Sequence, residues 1–188
     1  MSPLVLQPTL PDTSYRPGEI AINSWSMQSL GVPLVTSQSV PTSNNYVTPN
    51  LAVFVPFWVP EPVVITKMGW GNGTAVAGNI DVGISDESGN RLVSAGSTAQ
   101  SGTSALQVVD VTDTLLVRGR YYLAMASDTS GATQKLYSVV PAAGIPQAFG
   151  LLQMAGGGPP LPSTFTFAKY TSAFIPLILA QGYRTVGP

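Results

Sequence analysis

From about Asn45 onward, apolar residues alternate with polar or small ones in short runs, and each run stops at a cluster of Gly, Asn, Asp, Ser or Pro. A period of two belongs to a pleated strand, whereas a helix needs one near 3.6. "GNIDVGIS" shows this most cleanly, with Ile80, Val82 and Ile84 on one side and Asp81, Gly83 and Ser85 on the other. "RYYLAMAS" sets Tyr121, Leu123 and Met125 against Tyr122, Ala124 and Ala126. "YVTPNLAVFVPFWVP", "VVITKMGW", "RLVSAGS", "ALQVVDVT", "TLLVRG", "TQKLYSVV" and "SAFIPLILAQG" read as further strands, with Pro56 and Pro60 implying a sheet edge or a bend. The result is roughly eight short strands with a turn signal about every ten residues, the pattern of a sandwich or barrel. No stretch sustains a helical period. "PQAFGLLQMAG" is the best candidate for one helical turn, and "AGGGPPLPS" after it reads as an exposed loop. The expected fold class is all-β, an antiparallel, jelly-roll-like β-sandwich over residues 46–188.

Residues 1–45 differ. Pro3, Pro8, Pro11, Pro17, Pro33 and Pro41 interrupt the segment, and each removes a backbone donor and fixes φ. Short extended pieces such as "EIAINSW" remain compatible with that spacing. The segment also carries Leu4, Val5, Leu6, Ile20, Ile22, Trp25, Met27 and Leu30, more apolar side chains than a solvated tail holds. Together these features describe an extended proline-rich arm that lies on its own domain or on a neighbouring subunit. The opening "MSPLVLQPTLPD" has no basic region followed by a long apolar one, so no secretory signal is expected. "LAVFVPFWVP" and "AFIPLILA" are too short to span a membrane as helices.

Composition narrows the chemistry. Of 188 residues only 9% are charged, and the net charge is −1. An ordinary soluble domain carries about 25%. A surface so weakly charged fits one covered by copies of itself or by partners; a neutral surface rich in Ser, Thr, Asn and Gln is the other reading. The chain has no Cys and no His. That removes disulfides, thiolate chemistry, the commonest general base and His-bearing metal sites. The eight cations are scattered, so no basic patch for nucleic acid is expected.

Few polar clusters remain. Asp86, Glu87, Ser88, Gly89 and Asn90 resemble a calcium loop only superficially, because the next carboxylate is Asp110. Framed by two alternating runs, they read as a hairpin turn. Asp110 and Asp113, joined by Asp81 or Asp128, raise a shared-cation site; strand-end acids bonded to backbone donors are the plainer reading. Trp25, Trp58 and Trp70 raise a sugar-stacking platform, against burial in a core or interface. Trp58 reads as core, and Trp70, beside "GNG", as the exposed one. "NGT" at Asn72–Thr74 matches a glycosylation acceptor but reads more simply as an Asn-Gly turn. Gly156, Gly157 and Gly158 lack the Lys of a phosphate loop and read as a flexible linker. No catalytic, cofactor-binding or metal residue is therefore assigned.

At "VPFWVPEPVVITKMGW", "GNIDVGISDESGNRLVSAGS" and "GRYYLAMASD" the chain resembles the jelly-roll-like β-sandwich modules of tailed-bacteriophage virion proteins. There an apolar "PF.VP.P..I" strand precedes a "DVGIYD..G.LV" hairpin and a "G.YYLA...D" strand. The likeness covers residues 51–130, and the closing "FIPLILAQG" resembles the last strand of such modules. The shared positions are scaffold, so no functional residue is carried over. The resemblance implies a particle component made in the bacterial cytoplasm and built into the virion. It would be a non-enzymatic head decoration (cement) or tail-associated subunit, assembling by oligomerisation, as a trimer, and by docking of the arm. Its partners would be major capsid or tail proteins, with no cofactor, nucleic acid or membrane. The alternative is a receptor- or glycan-binding fibre or baseplate module that uses loop aromatics such as Trp70, Tyr122 or Tyr137 on a host-surface glycan. A hydrolase built on two converging carboxylates is the third reading.

Overall fold

The structure, a computed structural model, describes residues 19–23, 42–46, 48–138, 147 and 150–185. Among these, fourteen strands make up the fold: β1 (Glu19–Asn23), β2 (Thr42–Asn45), β3 (Leu51–Val59), β4 (Val63–Gly71), β5 (Asn79–Asp86), β6 (Arg91–Ser94), β7 (Thr98–Ala99), β8 (Leu106–Leu116), β9 (Gly119–Ser127), β10 (Thr133–Ser138), β11 (Leu152–Ala155), β12 (Ala168–Lys169), β13 (Phe174–Pro176) and β14 (Ile178–Arg184). One sheet runs β1-β14-β4-β8, and a larger one runs β12-β11-β3-β9-β5-β6 with β7 beside β5. A small third sheet runs β13-β10-β2. Every strand pair is antiparallel. The protein is an all-β antiparallel sandwich.

The alternation read from sequence builds the core. Val53, Val55 and Phe57 of β3, Ile80, Val82 and Ile84 of β5, and Tyr121, Leu123 and Met125 of β9 point inward from the large sheet. Ile65, Met68 and Trp70 of β4 meet them, with Ile178 and Ala180 of β14. Burying one such aliphatic side chain stabilises by roughly 1.5–3 kcal/mol. The opposite face of the large sheet is also covered. Ala52, Phe54, Tyr122, Ala124 and Ala126 form a second cluster with Leu161 and Phe165. A strand buried on both faces reads as near-continuous apolar sequence, which is why β3 and β9 do.

Several sequence expectations change. "ALQVVDVT" and "TLLVRG" are one strand, β8, whose pairing with β4 shifts register between Ile65 and Lys67. "SAFIPLILAQG" is two strands in different sheets. At Leu177 the chain crosses, its N–H donating to Lys135 at 3.0 Å while its C=O accepts from Gly71 at 3.3 Å. "PQAFGLLQMAG" keeps a helical residue at Gln147 but also contains a strand, because Leu152–Ala155 add to β3 as β11. Pro146, Ala148 and Phe149 lie outside the described residues. Pro56 sits inside β3 but beyond Phe54, where the pairing with β11 stops, so the strand has a partner on one side only there.

Within residues 1–45, β1 pairs with β14 and β2 with β10. Trp25 and the "LVL" cluster lie outside the described residues.

Candidate functional site

The hairpin loop between β5 and β6 is a turn, and its side chains hold it shut. Asp86 accepts from the Asn90 backbone N–H and from Asn90 Nδ2, both at 2.8 Å. Gly89 takes φ 85°, the left-handed region that glycine enters without strain. Burial acts to raise the Asp86 carboxyl, but hydrogen bonds from Asn90, Ser88 and Gly89 outweigh it and hold the group below its ordinary range. The loop also receives another segment: Phe165 N–H donates to Gly89 C=O at 2.7 Å, and Arg91 N–H to Ser163 C=O at 2.9 Å.

That segment is the glycine- and proline-rich stretch expected to be an exposed, flexible linker. It is instead a strap across the outer face of the large sheet. Leu161 and Phe165 are buried, and Gly157 lies so close to Ala52 that a Cβ would stand 2.7 Å from the alanine methyl. Phe54 meets Phe165 and Phe167 edge-on, with centroids 4.8 and 5.0 Å apart. Glycine run and prolines give the strap its close approach; Leu161, Phe165 and Phe167 give it a reason to stay.

Beneath the strap lies Asp81, fully buried. Its Oδ2 accepts from Ser94 Oγ and from the Leu161 N–H, each at 2.7 Å. Its Oδ1 has no partner among the described residues. Arg91 donates to the Leu161 C=O, so Leu161 is held at both backbone atoms. Loss of solvent raises the Asp81 carboxyl above its ordinary value; bonds from Ser94 and Leu161 and the charge of Arg91 act against the rise. Sequence alternation set Asp81 on the polar side of its run and offered it to a cation site with Asp110 and Asp113, which the described residues do not assemble. The available signal was its position inside an apolar run, with small residues on its own side.

The remaining described acids are dispersed. Asp110 and Asp113 lie within β8, not at a strand end, so the backbone-capping reading fails. Asp110 stands 3.6 Å from Lys67, Glu87 is 3.8 Å from Arg120, and Glu61 is 2.8 Å from Arg184. Such exposed pairs contribute about 0–1 kcal/mol. Asp128 accepts from the Asn79 backbone and side chain, each at 2.8 Å. Among the described residues, no three of His, Cys, Asp or Glu gather where a metal could be held.

The aromatic readings reverse. Trp58, expected in the core, is 52% exposed, and Trp70, expected exposed, is fully buried. Trp58 lies near the end of β3, opposite Arg120, on the face that turns away from the inter-sheet core. Trp70 Nε1 donates to Asn72 Oδ1 at 2.8 Å. Asn72 is therefore a buried plug, and the Asn-Gly turn reading fails; its Nδ2 donates to Ser101 C=O and to Gln107 Oε1. Tyr122 is buried under the strap, with Arg120 5.4 Å from its ring centre. Tyr137 belongs to β10.

No family model matches the chain, and no curated protein matches it. Among solved structures, a chain from "Structure of infectious bursal disease virus Gx strain" aligns over 99% of this chain at 10% identity, with a TM-score of 0.32. The aligned part is 46% of that longer chain. A likeness this distant assigns no function.

Proposed function

We propose that the chain is a non-enzymatic structural subunit of a virus particle, built into it through contacts with copies of itself and with neighbouring shell or tail proteins. The particle is that of a tailed bacteriophage, with the chain serving as a head decoration or tail-associated subunit. One observation carries this reading. On a surface with few charges, large apolar side chains stand in the open: Trp58, Leu106, Leu115 and Val117 are each more than half exposed. Single exposed apolar residues are ordinary, but four of this size on so neutral a chain suit a surface that becomes covered. The dispersal of the acids into separate pairs supports a structural role in the same way.

The glycan-binding alternative would draw on Trp58, since Trp70 and Tyr122 are buried. Protein mass spectrometry of purified particles of the encoding virus tests the reading. The chain should be present in multiple copies per particle. Its absence from purified particles, with abundance only in the infected-cell lysate, overturns the proposal.

A further inference from the structure

We propose that the free edge of β8 pairs antiparallel with β8 of a second copy, across a two-fold axis between Leu106 and Asp110. This rests on the reading of the chain as a self-assembling subunit, and it names the surface.

Among the described residues, β8 is the last strand of its sheet, eleven residues long and hydrogen-bonded to β4 alone. β6 of the facing sheet lies beside it without joining its ladder. The direction of its free backbone groups follows from one bond: Asn72 N–H donates to Ala105 C=O at 2.8 Å. In an antiparallel ladder the bonded positions alternate. Ala105, Gln107 and Val109 therefore face β4, while Leu106, Val108 and Asp110 turn their N–H and C=O groups outward. No described residue bonds those outward groups.

The strip around them is apolar. Leu106 is 52% and Val108 37% exposed, and opposite them on β4 stand Gly71 and Gly69. Folded proteins commonly guard a long edge with Lys, Pro or a covering element. "LQVVDVTDTLL" has neither Lys nor Pro. The nearest charge, Asp110, is balanced by Lys67, so a second copy meets a neutral strip. A copy of β8 supplies the complementary row of donors and acceptors by symmetry, which is what an isologous contact requires. The placement of the axis follows from sterics and charge. Centred on Asp110, it would set two carboxylates directly opposite, which destabilises a strand pair. Moved past Leu106, it would run into Ser104, whose φ of 53° ends the extended strand. A two-fold contact builds even-numbered assemblies and so replaces the trimer suggested by the phage resemblance.

The chain lacks cysteine, so single introduced thiols report the contact directly. Val108→Cys treated with a short bis-maleimide should give a covalent dimer, and Ser163→Cys, on the strap, should not. Val108→Pro removes an outward N–H that no described residue bonds, so the fold should survive by circular dichroism. The dimer should weaken by about tenfold or more in light scattering, because the central rung of the paired edge is lost. An oligomer that persists in Val108→Pro, with no crosslink at residue 108, overturns the β8 contact and leaves self-assembly standing. A wild-type chain that is monomeric at tens of micromolar removes both.

Discussion

Replacing Asp81 with alanine tests whether the strap is held by a buried carboxylate and what that carboxylate costs. The substitution removes the acceptor of two hydrogen bonds. The Leu161 N–H lies buried, and a buried donor left without a partner costs roughly 1–3 kcal/mol. Ser94 loses less, since it is only partly buried and its Oγ already accepts from Gly96 N–H at 3.0 Å. Acting against this loss, the variant no longer has to bury a charge. Loss of solvent raises the Asp81 carboxyl in the folded state, so the fold prefers the protonated acid. A group raised on folding contributes stability that is fully present below its unfolded value, near 3.8, and is lost as pH rises through the folded one. The penalty of Asp81→Ala should therefore be about 1–2 kcal/mol at pH 7, and larger near pH 4.5. Urea melts of both proteins at the two pH values measure it. A penalty that shrinks on acidification would mean the opposite balance, with attraction to Arg91 outweighing desolvation.

Asp86 should behave in the opposite sense: its carboxyl is depressed, so its contribution is present above the unfolded value and disappears as pH falls, and Asp86→Asn should flatten that acid limb of the stability curve. Gly83→Ala would drive a Cβ into the Val93 carbonyl, with Leu161 Cδ1 only 3.2 Å away, so thermal unfolding should show a loss of about 1–3 kcal/mol or more. Acrylamide should quench Trp58 and spare Trp70; Trp58→Ser should change stability by under about 0.5 kcal/mol, whereas Trp70→Ala should cost about 3–5 kcal/mol.

Much of the sandwich was legible because period-two alternation is a local property. β4, β5, β9 and β10 lie where their sequences place them, and Asp86 to Asn90 form the turn their residue types describe. What sequence could not supply was partnership across distance. Trp58 and Trp70 sit in similar apolar runs, and only the position of the second cluster and of Asn72 decides which is covered. The Gly156–Gly158 run has a linker's composition, yet Leu161, Phe165 and Phe167 beyond it find an apolar sheet face to cover. The burial of Asp81 was not legible because the strap that covers it comes from eighty residues later in the chain. "SAFIPLILAQG" reads as one strand, and the change of sheet at Leu177 depends on which strands flank it.

In the proposed role the chain is a repeated structural part of a particle. Gold-labelled antibody against it, imaged on purified particles of the encoding virus, tests that most directly. Each particle should carry regular label: on head facets for a decoration subunit, or at the tail for a tail-associated one. Intact particles that stay unlabelled, with gold confined to host debris, would contradict it.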